Sequence, residues 1–229
     1  MEPLLPAGKI VWICKLPMCT DKLTQDDIVL ISLPDHSKAL RSVFGLPGDS
    51  LRVSPNGKII ARGKMHKWDD EFEILAPRSF YVPRQGDSIS FEGLNDISFD
   101  YTSELIRREF GFRNFYTQAK LYRGEDTLPI TRVGSTHIFG RPVSIREING
   151  LHWQEYFLIG LQIDREDPGA KHVHFERKLY RSTNSSEVQY FRSPEDTYYV
   201  TCQKGNRCED SRILGYITQK QIIGKVLRF

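Results

Sequence analysis

Short apolar runs separated by Pro and Gly dominate the two ends of the chain, and long amphipathic periods are scarce. Runs rich in Val, Ile and Leu at residues 9–14, 27–33, 40–44, 50–53 and 58–61 are each bounded by turn residues, which is the pattern of strands. Between the last two, Pro55-Asn56-Gly57 predicts a hairpin turn, because Asn-Gly readily takes positive φ. Strand signals return at 197–202, around Tyr198, Tyr199 and Val200, and again at 215–217 and 222–228. The middle reads differently. Residues 101–110 place Leu105, Ile106 and Phe110 at helical spacing, with acids early and Arg107-Arg108 late to suit the helix dipole. This is the one helix that the pattern predicts clearly. From 64 to 195 the chain is more polar and richer in loops, with exposed turns such as Asn184-Ser185-Ser186. The expected fold is mainly β. Residues 1–63 and 196–229 form an antiparallel core, and residues 64–195 are inserted as a second, looser β-rich lobe carrying a short helix.

Composition narrows the function classes. With 32 basic against 29 acidic residues the charge is too balanced to argue for nucleic acid. The local pair Arg107-Arg108 is flanked by Glu104 and Glu109 and reads as a solvated surface. No run of eighteen apolar residues is present, so no segment predicts a membrane-spanning helix. The four cysteines, at 14, 19, 202 and 208, have no CxxC spacing and no accompanying histidine cluster, which disfavours zinc. Cys202 and Cys208 are spaced to bridge a short loop in an oxidising compartment. His172 and His174 alternate as on one strand face but lack a third ligand at a diagnostic spacing. No metal or cofactor is expected.

Four ordered segments carry a resemblance. The first is Met1-Glu2-Pro3-Leu4-Leu5, followed by Gly8-Lys9 and the apolar Ile10-Val11-Trp12-Ile13. Gln25-Asp26-Asp27-Ile28-Val29 comes second, and Leu40-Arg41-Ser42-Val43-Phe44-Gly45-Leu46-Pro47-Gly48-Asp49 third. The fourth comprises Asp196-Thr197-Tyr198-Tyr199-Val200, then Asp210-Ser211-Arg212 with Gly215, then Ile222-Ile223-Gly224-Lys225. In this order they resemble the extracytoplasmic part of type I signal peptidases, the serine–lysine leader peptidases. The match covers roughly residues 1–63 and 196–229. Within the insertion, Val82-Pro83-Arg84-Gln85-Gly86-Asp87 is similar to a segment of family members with enlarged insertions.

The resemblance implies a signal-peptidase-like antiparallel β core, cleavage of signal peptides from exported preproteins, and a place on the outer face of the cytoplasmic membrane. It implies a nucleophilic serine immediately before Met1 and a membrane anchor further upstream. Met1, Pro3, Leu4 and Leu40 would line a shallow groove in which an extended preprotein segment adds as a strand. Apolar surface near the N-terminus would face lipid.

The same alignment shows where the chemistry departs. Arg41 stands at the position of the general-base lysine, and a guanidinium does not deprotonate in proteins. Lys38 lies three residues away, which along a strand points it to the opposite face. Cys208 occupies the position of the hydroxyl that orients the lysine, and Cys202-Gln203-Lys204-Gly205 replaces the family's Gly-Asp-Asn-Arg. Asp210 and Arg212 are retained, and in the family they support the site structurally. The expected function is therefore that of a signal-peptidase-like protein with impaired cleavage. The alternative is a non-catalytic relative that binds exported or assembling proteins as a chaperone or scaffold. A self-cleaving repressor domain, which shares the general fold and chemistry, is disfavoured by the large insertion and by the absence of a DNA-binding domain.

Overall fold

The computed structural model describes residues 10–54, 58–67, 78–138, 140–169, 171–202 and 208–227. The fold is mainly β, with several antiparallel sheets. It divides into two compact units. One is formed by the chain up to Ile89 together with Arg192 onward, and the other by Ser90–Phe191.

In the first unit a six-stranded antiparallel sheet draws on both ends of the chain. Its strand order is Trp12–Cys14, Ile222–Leu227, Ile28–Ser32, Lys38–Gly45, Thr197–Thr201 and Ile217–Thr218. The β-branched and aromatic residues that signalled these strands in the sequence fill one face. Val29, Ile31, Val43, Tyr198, Val200, Ile217 and Ile222 form a buried cluster, and each such side chain contributes about 1.5–3 kcal/mol on leaving water. Gly224 lets the first strand approach: a Cβ there would stand 2.6 Å from the Cys14 carbonyl oxygen and 2.7 Å from Ile13 Cγ2.

A four-stranded sheet, in the order Lys64–Lys67, Lys58–Ala61, Ser50–Val53 and Arg78–Tyr81, completes the unit. Strands Ser50–Val53 and Lys58–Ala61 alternate exposed and buried positions, as a half-buried sheet requires. They pair antiparallel, with Arg52 opposite Ile60, while the turn expected at Pro55-Asn56-Gly57 lies outside the described residues.

The first unit thus runs on through Ile89 and resumes at Arg192. The reason is pairing that composition does not reveal. Ser50–Val53 bonds to Arg78–Tyr81 with Leu51 opposite Phe80. The following segment is then tied down, with Gly48 N–H donating to the Val82 carbonyl at 2.7 Å and Gly86 N–H to that of Ser193 at 2.8 Å. The Pro83 carbonyl accepts from Thr197 Oγ1 at 2.8 Å.

The second unit, Ser90–Phe191, is built on a three-stranded sheet in the order Asp126–Leu128, Phe115–Arg123, Val173–Arg181. Its two long strands pair without interruption from Phe115 opposite Arg181 to Arg123 opposite Val173. Two helices correct the expectation of a single short one in a loose lobe. The helix expected at 101–110 begins earlier and spans Asp96–Phe110, because Asn95 Oδ1 caps it by accepting from Ser98 N–H at 3.0 Å. Gly111 ends it at φ 96°.

The second helix, Trp153–Glu166, buries Trp153, Tyr156, Ile159, Gly160 and Ile163. That spacing is helical, but the run Tyr156-Phe157-Leu158-Ile159 inside it has the composition of a strand and hides the period. Ile159 and Ile163 join Leu121, Val133 and Ile138 in a well-buried core. No described helix is long and apolar enough to cross a membrane.

Candidate functional site

The first unit brings four of the expected site residues together. Strand Thr197–Thr201 runs antiparallel to Lys38–Gly45, with Thr201 opposite Ser42. The chain that leaves its far end therefore returns beside Arg41. There the Arg41 Nε donates to the main-chain carbonyl of Glu209 at 2.7 Å, and its Nη1 donates to the Leu40 carbonyl at 2.8 Å. Partial burial pulls the guanidinium pKa below its ordinary value, and nearby Asp210 and Glu209 oppose that. Arg41 is thus a fixed cation that holds a loop.

Asp210 is completely buried. One carboxylate oxygen accepts from Cys202 N–H at 3.0 Å; the other accepts from Arg212 N–H at 3.0 Å and Arg212 Nε at 2.8 Å. It caps the short helix Ser211–Leu214, while the buried Ser211 Oγ accepts from Val200 N–H at 2.9 Å. Three donors fix this carboxylate in place, so Asp210, Ser211 and Arg212 lock the closing loop to the sheet. Cys208, the next expected site residue, is joined to Cys202 in a disulfide. A sulfur in that bond offers no thiol hydrogen to orient a base.

The third sequence segment makes the turn that its Leu-Pro-Gly-Asp composition suggests. Asp49 N–H donates to the Leu46 carbonyl at 2.9 Å, and Leu46 N–H donates back to Asp49 Oδ2 at 2.9 Å. Gly48 lies at φ 86°, a conformation suited to glycine, and its Cα faces the Arg84 guanidinium. Leu40 is half-buried in the sheet opposite Leu30. Lys38 is exposed at the start of the strand, opposite Ser32. Met1, Pro3 and Leu4 lie outside the described residues.

Sequence reasoning missed His66. It sits on strand Lys64–Lys67, with its ring centroid 5.8 Å from that of Phe44. Burial lowers its pKa, with Asp210 raising it and Arg212 lowering it in turn, so the imidazole belongs to the same electrostatic cluster. Nothing in its local sequence marks it. The pairing Ile59↔His66 and the fold of the second sheet bring it there.

Beside the first strand, Ile10, Trp12, Leu16 and Met18 are largely exposed, at 93%, 67%, 59% and 75%. A second disulfide, Cys14–Cys19, ties this segment. In the other unit His172 is exposed and faces Asp164 at 3.1 Å, while His174 stacks on Tyr122. The pair does not converge.

The chain matches no known protein family, and no curated protein matches it either.

Proposed function

We propose that this is a signal-peptidase-like protein of the secretory pathway that holds extended segments of exported proteins and whose peptide-bond cleavage is impaired. The observation that carries the reading is the meeting of Arg41 with the Glu209–Asp210 segment in a sheet made from both chain ends. Two of the four sequence segments are thereby neighbours in space, as a shared site requires. Impairment is supported by the chemistry of the residues present: Arg41 cannot act as a neutral base, and Cys208 is consumed in a disulfide. The exposed Ile10, Trp12, Leu16 and Met18 favour a location against the outer face of the cytoplasmic membrane, since clustered apolar exposure marks an interaction surface.

The test is incubation of the oxidised protein with a fluorescent peptide containing a small-x-small signal-peptide cleavage sequence, followed by anisotropy and mass spectrometry. Saturable binding with an intact peptide is the expected result. Absence of binding overturns the reading, and rapid cleavage overturns the impairment. A second reading, retained cleavage with the half-buried imidazole of His66 as base, is favoured by its electrostatic coupling to Asp210 and Arg212. It requires turnover that is lost in His66→Asn.

A further inference from the structure

The Ser90–Phe191 unit has a strand edge that its own fold leaves open. Strand Val173–Arg181 pairs on one side with Phe115–Arg123 and is the border of the three-stranded sheet. In an antiparallel ladder alternate residues turn their N–H and C=O away from the paired neighbour. Val173 N–H points this way and donates to Asp164 Oδ1 at 3.1 Å. The Leu179 carbonyl accepts from Val188 N–H at 2.8 Å, and Arg181 N–H donates to the Ser186 carbonyl at 2.9 Å. By the same alternation the main-chain groups of Phe175 and Arg177 face this edge. Among the described residues none bonds to them there.

Alongside runs an open cavity of about 840 Å³. His174 and Glu176 line it from the exposed face of the strand and Phe175 and Arg177 from the other, as space beside an edge requires. Its charge is lopsided. Arg177, only 3% exposed, is neutralised by ion pairs to Asp96 and Asp100, with its guanidinium 4.6 and 4.7 Å from the ring centroids of Phe99 and Tyr156. Lys178 lies between Glu187 at 3.3 Å and Glu176 at 3.7 Å. Glu92 and Glu125, also on the wall, have no ion pair among the described residues. The buried Arg177 Nε has no acceptor among the described residues. Tyr122 and His174, stacked with centroids 5.8 Å apart, add a flat aromatic platform.

We infer that this edge binds an extended cationic peptide, which adds as a strand beside residues 175–177 with lysine or arginine side chains reaching Glu92 and Glu125. Main-chain hydrogen bonds supply the affinity, and the carboxylates select the side chains. The site lies in a different unit from Arg41 and Asp210 and does not rest on the signal-peptidase reading.

The experiment titrates the full chain with an N-acetylated, C-amidated hexapeptide alternating threonine and lysine, followed by calorimetry and amide hydrogen exchange. The expected results are saturable binding that weakens with salt, slowed exchange at Phe175 and Arg177, and at least tenfold weaker binding to the double variant Glu92→Lys, Glu125→Lys. The same peptide N-methylated at alternate residues keeps its charge but cannot pair as a strand, and it should bind at least tenfold more weakly. No binding overturns the inference, as does equal binding of the glutamate-for-lysine peptide. Unchanged affinity of the N-methylated peptide overturns strand addition.

Discussion

Arg41 and Glu209 stand 168 residues apart in the chain, yet the guanidinium of one donates to the main-chain carbonyl of the other at 2.7 Å. The contact closes the sheet onto the loop that follows Thr197–Thr201. Arg41→Ala removes this bond and the one to Leu40, and each is worth about 1 kcal/mol, so a loss of about 1–2 kcal/mol is expected. Urea unfolding, with the slope unchanged and the midpoint lowered, checks it. A midpoint equal to the parent's would show that the contact contributes nothing.

Asp210 offers a harsher test. Its replacement by alanine leaves Arg212 without its buried carboxylate and the Cys202 N–H without an acceptor. Removing one member of a buried, hydrogen-bonded ion pair costs about 3–5 kcal/mol. The variant is expected to unfold at far lower urea or to be recovered insoluble, and parental stability would refute the burial assigned to this residue.

Gly224→Ala probes the approach of the first strand. The added methyl meets the Cys14 carbonyl at 2.6 Å, and backbone cannot move as a flexible side chain does. Overpacking of this kind costs about 1–3 kcal/mol. Calorimetry should show a lower Tm, and amide exchange should accelerate first in Trp12–Cys14; a Tm within error of the parent's would contradict the packing.

Stability should also depend on pH through His66. Burial holds its pKa in the folded state below the ordinary 6.5. Below that value the unfolded chain binds the proton more readily than the folded one, so stability present above pH 6.5 is lost as pH falls through the lower folded value. His152 shifts in the same direction for the same reason. Urea midpoints measured from pH 7.5 downward should fall below about pH 6.5, and His66→Asn should flatten part of that slope.

The disulfides predict a redox dependence. Each closes a short loop, with sequence separations of 5 and 6, for which the chain-entropy account gives about 2 kcal/mol apiece. Thiol titration of the denatured, unreduced protein should find no free thiol, and reduction should lower the Tm.

The sequence by itself determined the strands at both chain ends, since short Val-, Ile- and Tyr-rich runs between turn residues can bury a face only as β structure. It also determined the helix near 101–110 and the turn at Leu46-Pro47-Gly48-Asp49, where local chemistry and the final conformation agree. What only the tertiary structure decided were features set by partners far along the chain. Residues 78–89 belong with the first unit because Arg78–Tyr81 pairs with Ser50–Val53. Trp153–Glu166 is a helix because its apolar stripe found a sheet to cover, although its run of large apolar residues is equally suited to a strand. Cys14 found Cys19, and His66 came to lie near Asp210, for the same reason. Periodicity and turn chemistry report what a segment prefers alone, whereas burial and pairing depend on which distant surface it meets.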